Sequence, residues 1–556
     1  MAPSTRPIRI GGVSGAATDR RHAMAMLAAN YPNDPVDVLI GDWMSEANMT
    51  SRATLKIANG GDAYEPTFIE ALEPALKDIA RYGIKVAVNA GAADTALLHK
   101  VVTGMVKDKG LDLKVAWVSG DEVLPAVLKA QKEGKSRFEN ICTGEVLDGW
   151  QFKPVYAQAY LGGLGIAAAF AKGADIVVCG RVSDASPVIG AAYWWHGWKR
   201  NQLLELANTF VAGHLIECSN YVCGGNFTGF KSLEMKGWED IGYPIAEIAS
   251  NGQVIITKNR GSGGEVSTQT CSSQLLYEIQ GPWYFNSDVT AILDGLYFEQ
   301  LGTDRVAMRG VKADLPPATT KVGLTAVGGY QAEVHWFPCG LDIPDKVRMM
   351  EVQVRRMLRP FADKFTLLNF STIGVAAENA SNQNAATVDC RIVVQAQNAE
   401  DISPAKFLRP CIDPIMECYP GATPHLDLRL VKSMENISSH TCANHLGFPK
   451  SIQEYYVSLL PQADVEHKVH LWDGSSIDIP PPPQSKTFPS QQPSVPSAQI
   501  SRPTDSGTTV KGPLGWIVHA RSGDKGSNCN VGFCKILLSG GACDARHTLT
   551  TLPITF

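Results

Sequence analysis

Positive charge is not in excess in this sequence: 50 Lys+Arg face 55 Asp+Glu over 556 residues, a formal net charge of -5. No basic field exists to hold nucleic-acid phosphates over a large surface, so no nucleic-acid partner is expected. Charged residues of both signs are scarce at 19%, below the roughly 25% usual for soluble domains. A large interior, or surface hidden in a homo-oligomer, accounts for the shortfall. The 13 cysteines include no CxxC pair, and no secretory pattern precedes them, so they read as reduced, buried thiols. The opening MAPSTRPIRIGG has neither the apolar stretch of a signal peptide nor an Arg-rich transit pattern, and a cytoplasmic location is expected. No membrane span is expected either: the longest apolar candidate, 161–179, is broken by Lys172 and Asp175 and reads as a helix followed by a buried strand. Gly11-Gly12-Val13-Ser14-Gly15 does not complete GxGxxG, and neither GxxxxGKS/T nor HExxH occurs, which argues against dinucleotide, P-loop and zincin chemistry.

What is present is βαβ grammar. Short β-branched runs at 8–10, 36–40, 86–88, 115–118 and 176–178 are each followed by a polar or glycine-rich turn and a helix-period segment, with crossover helices at 66–82 and 161–172. The expected class is α/β: a mainly parallel, Rossmann-like sheet in the amino-terminal half (1–205), an α+β second domain (206–478), a Pro/Ser-rich linker (479–512) and a small β-rich carboxyl-terminal segment (513–556). Strands are expected at 254–257, 305–311, 321–325 and 388–395, and a helix at 405–418 that Pro410 and Pro414 kink or divide. Near the end, strands at 514–518 and 530–538 flank an expected loop at 520–526. About 44 residues are too few for an independent core, so this piece docks on the main body or on a neighbouring subunit.

Parallel strands deliver their following loops to one rim, where ligands bind. Asp42 and Glu46, beside Trp43 and Met44, are candidate acid/base groups, because a partly apolar pocket raises a carboxyl pKa. Arg181, directly after the most apolar strand, is a candidate clamp for a carboxylate or enolate; an internal salt bridge to Asp184 or Asp42 is the alternative. Asp184 with His214 would complete proton transfer. Gly12, Ser14 and Asn89 would position anionic or carbonyl groups, with Ser183, Cys223 and Asn226 as further binding candidates. Asp19 and Asp94 stand where helices start, so capping explains them more simply. On a helix His214 and Glu217 would share a face, as a base with its orienting carboxylate or as two metal ligands. A lone HxxE does not make a metal site, and no metal or cofactor is expected. Cys223 before two glycines is either a nucleophile with His214 as base or a buried thiol beside a turn. The 258–265 loop is either an anion cradle or a surface loop.

The ordered motifs IGDWMSE (40–46), NAGAADT (89–95), VSGDE (118–122), CGRVSDAS (179–186), AGHLIECSNYVCGGNF (212–227) and GSGGEVS (261–267) resemble the acyclic terpene utilisation family, AtuA, over about residues 7 to 460. HARSGDKGSNCNVGF (519–533) resembles the opening of the small ferredoxin-like domain that often follows in that family, here stopping early. The resemblance implies breakdown of branched terpenoid acids as coenzyme A thioesters, with a lyase role; it carries over no catalytic residue. The expectation is a lyase or hydratase/dehydratase acting on a branched carboxylate or acyl thioester, a small-molecule partner derived from terpenoid or polyketide metabolism. The alternatives are a noncatalytic assembly subunit and a Cys223-dependent acyl transferase or hydrolase.

Overall fold

The computed structural model describes residues 6–58, 61–425, 446–493, 511–525, 528–535 and 543–544. The five β-branched runs become β1 (Ile8–Gly12), β2 (Val38–Gly41), β3 (Lys85–Val88), β4 (Val115–Ser119) and, after β5 (Tyr156–Ala159), β6 (Ile176–Cys179). They lie side by side in the order β4-β6-β3-β2-β1, parallel at every step. Every residue of β2 and β6 is buried, because helices cover both faces of such a sheet. The crossovers run through α1 (Ala23–Ala29), α2 (Glu46–Ile57), α3 (Thr67–Tyr82), α4 (Thr95–Asp108), α5 (Leu124–Lys132), α6 (Leu164–Lys172), α7 (Ser186–His196) and α8 (Leu203–Glu217). α3 forms where the apolar period predicts: Phe68, Leu72, Ala75, Leu76 and Ile79 share its buried face, and Gly83 at φ +67 ends it in a left-handed cap.

The fold is mixed α/β with a sheet larger than the parallel part. Beyond β1 the sheet continues antiparallel through β7 (Pro244–Ile248), β8 (Val254–Lys258), Arg305–Arg309 and Tyr297–Gly302. Beyond β4 it continues antiparallel through Lys468–His470 and Ser476–Asp478. These additions come from far along the chain, so their pairing left no local trace in the strand spacing. β5 pairs instead with residues 322–325. Among the described residues no helix is long and apolar enough to cross a membrane, and 161–179 contains α6 and then β6.

Two compact units are present: 1–325 with 455–556, and 326–454. In the second, helix Ile343–Leu358 buries Met350, Val354 and Leu358 at helical spacing. They join a core with Ile392 and Val394 of strand Asp389–Ala396, which pairs with Phe365–Ile373. The expected 405–418 helix is divided into Leu408–Ile412 and a tight turn at Asp413–Met416, since Pro414 has no amide proton to continue the ladder.

Every candidate site residue belongs to the first unit. So does the carboxyl-terminal ribbon, Val518–Lys525 paired antiparallel with Asn528–Lys535. The stretch read as a loop at 520–526 is therefore strand as far as 525, because its polar residues alternate between a covered and an open face. The ribbon docks on the main body along α9 (Thr268–Leu276) and the chain after it: Asn530 Nδ2 donates to the Leu276 carbonyl at 2.6 Å. The proline-rich stretch also lies against this unit, with the Lys486 amide donating to Pro316 and Gln492 Nε2 to Trp283, each at 2.9 Å. Residues 494–510 and most of those after 535 fall outside the described residues.

Candidate active site

The loops after the five parallel strands are tied to one another by hydrogen bonds. The Asp42 amide donates to the Ser14 carbonyl at 2.9 Å, joining the turns after β2 and β1. From the loop after β3, Asn89 donates its side-chain N–H to Asp42 Oδ1 and accepts the Trp43 amide at 2.7 Å. Met44 N–H also donates to Asp42 Oδ1, at 3.0 Å. Asn89 thus holds the acid in place. Asp42 is 5% exposed, and burial, then the negative charge of Asp184, push its carboxyl well above the usual carboxylate range. Arg181 and the Asn89 amide oppose the rise, and Glu217 adds to it.

Arg181 enters from the loop after β6, and its backbone N–H donates to Asp121 Oδ2 at 2.8 Å, linking the turns after β6 and β4. Asp121 also accepts from Gln158 Nε2 at 2.8 Å, and its burial raises its carboxyl. Gly180 leaves room for it, since a Cβ there would lie 2.3 Å from Asp121 Oδ2. The Arg181 guanidinium is buried over the Tyr160 ring, 4.1 Å from its centroid. Its Nη2 pairs with Asp184, the internal salt bridge that stood as the alternative to a ligand clamp, and its Nη1 reaches the Met44 carbonyl at 3.4 Å. Nε is buried and has no partner. Burial works against this cation, while Asp184, Tyr160, Asp42 and Glu46 raise it further than burial lowers it. Glu46 begins α2 behind the Ser45 cap and faces Lys321 at 3.7 Å. Lys321 also lies over the Tyr160 ring, at 4.5 Å.

α8 brings His214 and Glu217 to the same rim. His214 Nε2 lies 3.2 and 3.3 Å from the carbonyls of Gln274 and Leu275 at the end of α9. Carbonyls only accept, so Nε2 carries a proton, and Nδ1 lies 3.2 Å from the Tyr284 hydroxyl. Glu217 Oε1 is 3.5 Å from that Nδ1. Asp184, Glu217 and Glu278 each offer a carboxylate oxygen within 4.8 Å of the others. Oxygens so spaced suit a hard divalent cation or the sharing of protons. Glu278 is held at φ +60, a conformation that costs a non-glycine residue about 1 kcal/mol or more, and its amide is tied to Asn530 Oδ1 at 3.1 Å.

Other candidates have different surroundings. A Cβ on Gly12 would lie 2.3 Å from the Ile216 carbonyl, so this glycine serves close packing of α8. The Ser14 hydroxyl donates to Ala16 within its own turn at 2.9 Å. The Ser183 amide donates to the Leu161 carbonyl at 2.9 Å. Cys223 is in the hydrophobic core, where burial holds its thiol far above the usual range and deprives it of nucleophilic thiolate. Asn226, exposed at φ +53, accepts from Arg521 Nη1 at 2.8 Å. Asp94 caps α4 as expected. Asp19 instead accepts from the Gly15 amide at 3.1 Å, His22 being the residue before α1. In the 258–265 loop Lys258 Nζ donates to the loop's own Ser262 carbonyl at 2.6 Å. Sequence reasoning passed over Tyr160, Lys321 and Glu278, read Asp121 only as part of its rim loop and assigned Arg521 no role. Asp121 was legible in the VSGDE loop, whereas Glu278 sits in no motif.

A small, open cleft lies beside Tyr160, with Arg200, Asp288, Thr320, Gln462 and His467 among its walls. The strand-end loops of this mixed α/β fold thus gather buried carboxylates around a buried arginine. The family model described as acyclic terpene utilisation family protein AtuA matches residues 8–471, and the chain belongs to that family. No curated protein and no solved structure matches it.

Proposed function

We propose that this AtuA-family chain is an enzyme of acyclic terpenoid or related branched-chain metabolism, a lyase or hydratase/dehydratase acting by general acid/base catalysis on a branched carboxylate or acyl thioester. The observation that carries the reading is Asp42, a buried carboxyl raised well above its usual range beside the Arg181–Asp184 pair. Nearby groups with separated proton affinities supply an acid and a base together. In a dehydration, an ionised carboxylate such as Asp184 removes the proton α to the acyl carbonyl. Protonated Asp42 gives its proton to the departing hydroxyl, which leaves as water. In a retro-aldol cleavage the base takes the proton of the β-hydroxyl, the Cα–Cβ bond breaks to a ketone or aldehyde and an enolate, and Asp42 protonates the enolate carbon. The unpartnered Arg181 Nε is a donor for the enolate oxygen in both cases.

The test is turnover of branched 3-hydroxyacyl and 2-enoyl coenzyme A thioesters and the corresponding free acids, followed by mass spectrometry for loss or gain of water or for chain cleavage. Wild type converts at least one, and Asp42→Asn, with an unchanged fold, slows it by about two orders of magnitude or more. Equal rates in the two proteins would remove Asp42 from the chemistry.

A further inference from the structure

Arg521 comes from the carboxyl-terminal ribbon, outside the family-matched stretch, and is only 4% exposed. Its guanidinium lies between two aromatic rings, 4.3 Å from the centroid of Tyr221 and 4.4 Å from that of Tyr277. Nη1 donates to the Asn226 carbonyl at 2.8 Å. Nε and Nη2 are buried with no acceptor, and among the described residues Arg521 forms no ion pair. The two tyrosine faces offset only part of the cost of removing a cation from water.

The two donors without acceptors are not an arbitrary pair. In a guanidinium the Nε–H and one Nη2–H project in parallel from the same edge, at the spacing of the two oxygens of a carboxylate or phosphate. Arg521 therefore spends its isolated Nη1 on the backbone and keeps the whole bidentate edge. The same ribbon lies against the chain segment that carries Glu278. Tyr277 precedes Glu278, whose carboxylate lies with those of Asp184 and Glu217, and a Cβ on Gly523 would be 2.5 Å from Glu278 Cγ. Asn530 pins the assembly: its Oδ1 accepts the amides of Gly523 and Glu278, each at 3.1 Å, and its Nδ2 donates to Leu276.

We infer that Arg521 is an oxyanion-binding residue, and that the ribbon completes the first unit's site by gripping the anionic group of a small-molecule ligand through its Nε/Nη2 edge. The identification of the ligand as substrate rests on the acid/base reading above; the anion site itself does not. The oxyanion is either the carboxylate of a free branched acid or a phosphate of a coenzyme A carrier, and both match the same edge.

Equilibrium binding to the full chain tests the inference without requiring turnover. Titration calorimetry is run with 3-methylbut-2-enoate, with its neutral amide and with coenzyme A, on wild type, Arg521→Lys, Arg521→Gln and Arg181→Lys. Arg521→Lys keeps the charge and loses the bidentate edge, and it serves where the glutamine variant does not fold. Wild type binds one of the anions and not the amide, and Arg521→Lys weakens that binding about tenfold or more. Preference for the enoate assigns a free acid, and preference for coenzyme A assigns the carrier phosphate. No anion binding by wild type, equal affinity in Arg521→Lys, or a loss confined to Arg181→Lys each overturns the inference. Anion binding retained by an inactive Asp42→Asn protein separates this result from the acid/base proposal.

Discussion

Gly12 and Ile216 touch backbone to backbone: a Cβ on Gly12 would stand 2.3 Å from the Ile216 carbonyl oxygen, closer than any real carbon. The contact seats α8 on β1 and sets the height at which the next residue, Glu217, reaches the rim. Gly12→Ala is expected to lower stability by about 1–3 kcal/mol through overpacking. Gly104, inside α4 with open space around its Cβ position, behaves in the opposite sense, its alanine variant gaining about 0.5–1 kcal/mol. Urea unfolding of the two variants checks both signs.

Asp42 predicts a pH dependence of stability as well as of rate. Its carboxyl is raised in the folded state, so the folded chain binds this proton more tightly than the unfolded chain, where Asp titrates near 3.9. The stabilising contribution is whole below that pH and is lost as pH rises through the raised value. Asp42→Asn should remove that fall. The comparison is unfolding free energy against pH for the two proteins; parallel curves would contradict the assignment.

Asn89 both steadies Asp42 and satisfies the Trp43 amide. Asn89→Ala leaves a buried donor unpaired, at a cost of about 1–3 kcal/mol. It also removes a hydrogen bond that holds the Asp42 carboxyl down, so any limb of the pH–rate profile due to Asp42 moves to higher pH. A Val or Leu variant should shift the limb the same way, whereas Asn89→Asp adds a charge that raises it further.

His467 gives the complementary case at acid pH. It is buried, and desolvation, then the charge of Arg200, push its pKa down to about 4. An unfolded imidazole titrates near 6.5, so below that pH the unfolded chain takes up the proton first. Stability is whole above pH 6.5 and falls by about 3 kcal/mol as pH drops through 4. His467→Gln should flatten that stretch of the curve, and thermal unfolding between pH 7 and 4 reads it directly.

The parallel part of the fold was legible because it is local. β-branched runs of three to five residues, each followed by a turn and a helix-period segment, dictate strand and crossover without distant partners. The same locality made the Asp94 cap and the rim positions of Asp42 and Arg181 readable. It hid the antiparallel extension of the sheet, since β1 finds β7 more than 230 residues later. It also hid the chemistry of several candidates. From the sequence Arg181 is either a ligand clamp or one half of an internal salt bridge, and only packing shows that its Nη2 is committed to Asp184. Cys223 before two glycines reads as either a nucleophile or a buried thiol, and its place in the hydrophobic core supplies the burial.

By itself the amino-acid order determined the five parallel strands, where their turns fall and which polar residues those turns carry, because hydrophobic period and turn chemistry act over a few neighbours. Tertiary packing decided which of those residues share a low-dielectric interior. It set Glu278 beside Asp184 and Glu217 and placed Arg521 against Tyr221 and Tyr277, about 300 and 244 residues away in the chain. Proton affinity and anion affinity depend on distance and burial, and neither quantity is defined until the chain has closed on itself.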